Sequence, residues 1–488
     1  MHYSFYKYNV FCLIFFGLIA WALLYQLDAH PMYLWDESRQ ANNALEMMQS
    51  GNYLYPTYLG KVDFWNTKPH LLIILQAVCM KILGPGLLAL RLPSAIAGIL
   101  VCFIWFRFLV KRYNLETASL AVFILITCGG FNVYHITRTG DYDALLLLFF
   151  TLSFTQFYKI IWEEFKTNNC IAFYIYISAA MLTKSFAALI WLPGFFIGFA
   201  MLFATNKTRA KQRILTMLRF IWIPILLALG YYGCREIINP GYLAAVWENE
   251  VAVRYFAPNE GHVSSWDYYF KIIGNEYFYG YWIVCLIAFF GILKARRKVK
   301  KEIAFYALYF IVFVGIITLS KTRIHWYLAP AIPVLSVITA LAITQSFWDE
   351  NAQKMKQYLG LIMYLIVVII GVYNWNIIWE NENRKDNVWV EKIFQRAEIT
   401  GKFRYTGIWL GAEYNPVEEY YHKIFERKKI PFRSTNSYQF KKGDTVIFHR
   451  FNQADSLGKY YINTQIQFPD ENFPAWVFRI DSVIMPNK

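Results

Sequence analysis

The chain has 488 residues, of which 57% are hydrophobic, 19% aromatic and only 17% charged. That composition is too apolar for a water-soluble protein of this length and fits a polytopic membrane protein. The net charge of +15 falls largely in loops on one side of the membrane, so it calls for no nucleic-acid partner.

Residues 10–27 are the first apolar run long enough to span a bilayer. No small-residue cleavage site follows them, so the run reads as a retained anchor. Just beyond stands Trp35-Asp36-Glu37. Two adjacent carboxylates at a membrane boundary avoid the cost of hydrocarbon and are placed to meet a reactant held by the lipid. The plainer reading makes Asp36 the N-cap of the next helix and Glu37 a favourable charge toward its dipole. That helix is amphipathic over 37–49 and closes at Gly51. Tyr53, Tyr55, Tyr58, Phe64 and Trp65 follow, as in an interfacial aromatic belt. Residues 71–83, after Lys68-Pro69, are too few to span and contain Gln76 and Lys81, which predicts a helix lying in the interface.

Ten further runs, 91–110, 117–136, 143–162, 170–183, 187–205, 218–237, 279–293, 303–319, 326–345 and 358–378, bring the predicted spans to about eleven. Lys111-Arg112, the Lys207 to Arg219 cluster and Lys294 to Lys301 then share one side, which is cytoplasmic. Counting 71–83 as a span would put the first of these on the opposite face. The outer side receives 28–90, the turns at 137–142, 183–186 and 320–325, the loop 238–278 and the tail from 379. In the tail, 405–410 and 445–449 read as strands and 417–428 as a helix, so residues 379–488 are expected to form a small soluble α/β domain beside a membrane domain of residues 1–378. The seven cysteines have no paired spacing. No internal repeat is visible, unlike the repeated halves of many secondary transporters.

The outer turns hold the chemistry-bearing residues. Arg138, Asp141 and Asp143 crowd one turn, and Lys184 offers an ammonium at another. Glu250 and Arg254 are one helical turn apart and pair equally well as a plain salt bridge. Lys321, Arg323 and His325 precede a helix containing Pro330 and Pro333. Cations outside run against the positive-inside bias, so an anionic partner such as a lipid phosphate is expected there. A carboxylate to deprotonate an acceptor hydroxyl and cations to hold a departing phosphate are what a lipid-phosphate-dependent transferase needs.

These residues in this order resemble the polyprenyl-phosphate-dependent glycosyltransferases, the superfamily of the dolichyl-phosphate-mannose protein mannosyltransferases and the lipid A aminoarabinose transferase. The first loop carries most of it: Trp35-Asp36-Glu37-Ser38-Arg39, Met48-Gln49-Ser50-Gly51-Asn52-Tyr53, Lys68-Pro69, Gln76-Ala77 and Ala89-Leu90-Arg91-Leu92-Pro93-Ser94. Arg138 with Asp141, Thr183-Lys184, Glu250 with Arg254, and Arg323 with Tyr327 and Pro330 match further elements, with Asp143 as an alternative to Asp141. His70 and Val251 depart from the family's pattern.

The resemblance implies an integral protein of a bacterial inner membrane with its site and C-terminal domain on the periplasmic side. It would transfer a monosaccharide from a polyprenyl-phosphate donor to a lipid, glycan or protein acceptor, with inversion. Asp36 is then the leading base. Glu37 and Asp141 would orient the acceptor or a divalent cation, and Arg138, Lys184, Arg254, Lys321 and Arg323 would hold the donor phosphate. Lys68, Glu250, His325 and Tyr327 would contact substrate. A translocator, or a noncatalytic subunit binding the same lipids, is the alternative.

Overall fold

The computed structural model describes residues 2–33, 35–132, 135–256, 264–292, 297–347, 354–383, 407–410, 416–429, 432–435, 439–448, 457, 461–465 and 477–484. Helix α1 (His2–Leu24) leads to α2 (Asp36–Ser50), a two-residue hairpin of β1 (Thr57–Tyr58) and β2 (Lys61–Val62), and α3 (Leu71–Leu83). The α2 helix ends where Gly51 takes a left-handed φ of 71° and returns its N–H to Met47 O, the stop expected of that glycine. With 13 residues, α3 is about 20 Å long and does not cross a hydrocarbon core of roughly 30 Å.

The membrane body continues through α4 (Leu87–Arg112), α5 (Leu115–Thr127), α6 (Gly129–Asn132), α7 (Tyr142–Trp162), α8 (Thr167–Lys184), α9 (Leu192–Thr205), α10 (Lys207–Phe220), α11 (Trp222–Ile238), α12 (Tyr242–Val246), α13 (Tyr268–Ile272), α14 (Tyr281–Ile292), α15 (Arg297–Leu319), α16 (Ile332–Phe347) and α17 (Lys354–Asn383). Every predicted span has a helix in this series, and α17 runs past the expected boundary at 378. Among the described residues, seven helices are long and apolar enough to cross a membrane. The protein is therefore an integral membrane protein. In the most apolar stretch of His325–Gln345, 94% of the residues are buried in the bundle, whereas in that of Lys207–Ile238 only 11% are.

One predicted span is shorter than expected. The run 117–136 is helical only to Thr127, and α6 then turns away beneath Glu276 and Tyr277. A Cβ on Gly129 would stand 2.6 Å from the Glu276 carbonyl oxygen, and one on Gly130 2.6 Å from the Tyr277 ring. The two glycines permit this close approach, which a continuous helix would not make. The segment freed from the helix carries His135.

In the tail, β3 (Gly407–Leu410), β4 (Phe432–Thr435), β5 (Thr445–Phe448), β6 (Tyr461–Gln465) and β7 (Val477–Val483) form one sheet in the order β4-β3-β5-β7-β6. The β3 strand is parallel to β4 and β5, while β7 is antiparallel to β5 and β6. The crossover between β3 and β4 is helix α18 (Pro416–Arg427), the connection a parallel pair requires. Val417, Tyr420, Tyr421, Ile424 and Phe425 on α18 join the same hydrophobic core as the membrane helices. Its polar side holds α2: Lys423 Nζ lies 2.6 Å from Glu46 Oε1 and 2.9 Å from Asn42 Oδ1, and Asn42 Nδ2 donates to Pro416 O at 2.6 Å. The tail thus clamps the helix that begins with the acidic motif.

Candidate active site

The acidic motif divides its two carboxylates. The N-cap of α2 is Trp35, not Asp36; its φ of 80° and ψ of −103° are a strained pair for a non-glycine residue. With Trp35 in that position, Asp36 is the first helical residue. Its side chain is 35% exposed, makes no hydrogen bond among the described residues, and lies 4.0 Å from His135 Nδ1. It is available to a proton-bearing ligand.

Glu37 is wholly buried and fully committed. Arg91 binds it through Nε to Oε1 at 2.7 Å and Nη2 to Oε2 at 3.0 Å. Tyr33 N donates to Oε2 and Gly140 N to Oε1, each at 2.8 Å. Arg91 also donates to the carbonyls of Leu27, His30 and Pro31. This fork ties the end of the first anchor, α4 and the 137–141 turn around the base of α2, a use of arginine's planar donors that lysine does not reproduce.

His135, read from the sequence as part of a helix, stands between the carboxylates. Its φ is 68°, its ring is 3.7 Å from that of Trp326, and Nδ1 is 3.1 Å from Asp141 Oδ2. Burial alone would push its pKa down, but Asp141, with Asp36 and Asp143 behind it, outweighs burial and raises the value above that of an ordinary histidine. Asp141 is likewise opposed by burial, yet His135 and Thr139 lower its pKa. The imidazole therefore keeps its proton to higher pH than usual while Asp141 stays ionised. Gln40 Nε2 donates to the other oxygen of Asp141 at 3.2 Å.

Beyond this cluster lie two lysine–carboxylate pairs. Lys184 is the last residue of α8 rather than part of a polar turn, and Nζ is 2.7 Å from both oxygens of Asp143. Lys68 Nζ is 3.9 Å from Glu250 Oε1, which Thr67 Oγ1 also reaches at 3.4 Å. Asp143, Lys184, Glu250 and Tyr327 sit at the polar end of a cavity of about 80 Å³. Phe186, Ile190 and Ile316 line both this cavity and a neighbouring apolar cleft of about 640 Å³. Lys184 Nζ is 5.6 Å from the centre of the Tyr327 ring. The charged groups of the smaller cavity thus adjoin an open apolar cleft.

Other predicted residues stand elsewhere. Arg138 donates to the carbonyls of Ala22, Leu23, Tyr25 and Gln26, capping the end of α1. Arg323 is held by Thr318 O at 3.0 Å and by Ser264 O. Lys321 is exposed, and His325 packs edge-on against Trp326 and Tyr277. Arg254 lies in the π-helical backbone Trp247–Phe256, and its side chain is outside the described residues. Among the described residues no three His, Cys, Asp or Glu side chains come together as a metal-holding group. Asp36 and Asp141 both face the His135 imidazole. Sequence patterning could not have found His135, because it ends an apolar run.

The model of the dolichyl-phosphate-mannose-protein mannosyltransferase family matches residues 67–232. The undecaprenyl phosphate-alpha-4-amino-4-deoxy-L-arabinose arabinosyl transferase of Aeromonas hydrophila is 23% identical over 73% of this chain and 66% of its own length. A transferase of the same name from Proteus mirabilis is 22% identical over 74% of this chain and 65% of its own. The chain thus spans just under two thirds of the length of these relatives. The crystal structure of ArnT from Cupriavidus metallidurans bound to undecaprenyl phosphate shares the fold with a TM-score of 0.70 at 12% identity, over 97% of this chain and 98% of that one. Beside the acidic motif and its two lysine–carboxylate pairs, the chain is thus similar to the protein mannosyltransferase family over about a third of its length, and to the aminoarabinose transferases in sequence and in fold.

Proposed function

We propose that the protein transfers a monosaccharide from a polyprenyl-phosphate donor to a hydroxyl of a lipid, glycan or protein acceptor. The observation that carries this reading is a partly exposed carboxylate with no hydrogen bond among the described residues, Asp36, beside the His135–Asp141 pair, together with the Lys184–Asp143 pair at a cavity that adjoins an apolar cleft. The prenyl chain lies in the cleft and its phosphate meets Lys184, supported by Lys68 and Tyr327. Asp36 takes the proton of the acceptor hydroxyl as its oxygen attacks the anomeric carbon. The bond from that carbon to the phosphate oxygen breaks, and the phosphate leaves with the electron pair, its charge met by the lysines. One displacement inverts the centre. His135 orients Asp36 and Asp141.

The test is transfer by the purified full chain in detergent, where no second compartment exists. A new glycosidic bond formed from an undecaprenyl-phosphate sugar supports the enzyme; donor binding with no product across a range of acceptors would favour a translocator or binding subunit. Lys184→Gln is expected to raise the donor KM roughly tenfold to a hundredfold, the worth of one charge-assisted contact. An unchanged KM removes Lys184 from the donor site.

The same reading places the site and the tail on the periplasmic side of a bacterial inner membrane. The support is that α18 holds α2, so the first loop and the tail share a face, opposite the basic loops. On a chain with its own cysteines replaced, Lys428→Cys is expected to react with an impermeant thiol reagent in spheroplasts, and Arg209→Cys only after lysis. The opposite pattern overturns the orientation.

A further inference from the structure

Arg235, in the last turn of α11, is only 2% exposed, and none of its three guanidinium nitrogens has a hydrogen-bond partner among the described residues. A buried cation with all its donors unmade is costly, and such groups are normally paired. What surrounds Arg235 compensates it incompletely. Its guanidinium carbon is 4.2 Å from the centre of the Tyr242 ring and 5.9 Å from that of Tyr55. Those contacts use the face of the ion and leave the N–H groups in its plane unmet.

Among the described residues no neighbouring acid supplies the missing partner. Glu236 turns outward and accepts from Gly241 N at 2.9 Å and Leu243 N at 2.7 Å. His70 has a pKa drawn down to about 4, first by burial and then by the charge of Arg235. Its Nε2 is 3.1 Å from Tyr53 O, which can only accept, and its Nδ1 is 2.9 Å from the Tyr231 hydroxyl. It is a neutral ring with no charge to offer. The pocket around Arg235 is a tyrosine cage with an unmet demand for an oxyanion.

Its position says where that oxyanion comes from. Tyr232, one turn earlier on α11, stacks on Tyr242 with ring centres 6.1 Å apart. Tyr232, Leu243 and Val246 also line the 640 Å³ apolar cleft. Tyr242 further donates its hydroxyl to Thr67 O at 2.8 Å, next to Lys68. The guanidinium thus stands against the wall of the cleft, at the outer end of its helix.

We propose that Arg235 and its tyrosines form a second anion site, which takes the phosphate or carboxylate head of a lipid whose chain lies in the cleft. The proposal rests on the cleft being lipid-binding but not on any transfer reaction, so its test reads binding alone. Melting of the purified full chain in neutral detergent is followed with phosphatidic acid, phosphatidylcholine or inorganic phosphate added. Phosphatidic acid is expected to raise the wild-type Tm and phosphatidylcholine to leave it unchanged. In Arg235→Gln the lipid-free Tm should be equal to or above that of wild type, because an unpaired buried cation is removed. Phosphatidic-acid affinity should fall roughly tenfold or more, with Arg235→Lys between the two, since it keeps the charge and loses the planar fork. Stabilisation by inorganic phosphate that also depends on Arg235 would support the anion site with a free anion as its ligand. Equal stabilisation of Arg235→Gln by phosphatidic acid overturns the proposal. So does a lower lipid-free Tm, or failure of that variant to fold, because Arg235 would then be held by the protein itself, through the neighbouring Asn239 oxygen.

Discussion

Asp36→Asn is expected to lower the transfer rate by about a hundredfold to ten-thousandfold, the usual loss when a general base is removed, while the protein inserts and melts as wild type does. The asparagine amide keeps the shape of the carboxylate and stays at the first position of α2. Since Asp36 makes no hydrogen bond among the described residues, its replacement leaves no buried donor there unmet. The charge facing His135 falls by one, but Asp141, at 3.1 Å, remains as the nearer partner of the imidazole. The loss should therefore appear in kcat, with donor binding retained. Single-turnover transfer measured with saturating donor checks this, and a rate within a few-fold of wild type would return Asp36 to an ordinary helix-terminal charge.

The second large effect concerns stability. Arg91→Met is expected to destabilise the protein by about 3–5 kcal/mol, the cost of stranding one partner of a buried ion pair. The variant strands Glu37 without its counter-ion and also leaves the carbonyls of Leu27, His30 and Pro31 without the guanidinium that joins them. Adding Glu37→Gln should recover part of the loss, because the carboxylate that would stand uncompensated becomes neutral. Thermal melting in detergent of both single variants and the double variant measures the coupling. Losses that simply add, or a Tm unmoved by Arg91→Met, would show that the pair is not the lock described here. This result also separates the motif's two acids: loss of Glu37's partner is read in stability, and loss of Asp36's charge in chemistry.

Several features were legible in the residues before any contact was known. The α2 helix closes at Gly51 as its sequence predicts, because a left-handed C-terminal position favours glycine whatever the rest of the fold does. Strands β3 and β5 and helix α18 fall within a few residues of the expected ranges, since short apolar alternation and helical spacing are local signals. The acidic motif was visible as well. Its division of labour was not, since two neighbouring carboxylates look alike until their partners are known. Arg138 shows the same limit: a cation in an outer turn is readable, but its use on the carbonyls at the end of α1 depends on residues more than 110 positions away.

The sequence by itself determined the membrane class, the positions of most helices and the presence of acids and cations on the turns between them, because hydropathy, charge and helix punctuation act over one or two turns of chain. Tertiary structure alone decided which of those groups are spent and which remain for chemistry. Glu37 meets Arg91 across 54 positions and Gly140 across 103, and Lys184 meets Asp143 across 41. His135 was hidden in an apolar run until two glycines let the chain turn beneath Glu276 and Tyr277. Burial and pairing set the charge available at a site, and both depend on contacts between helices far apart in sequence, which no local pattern records.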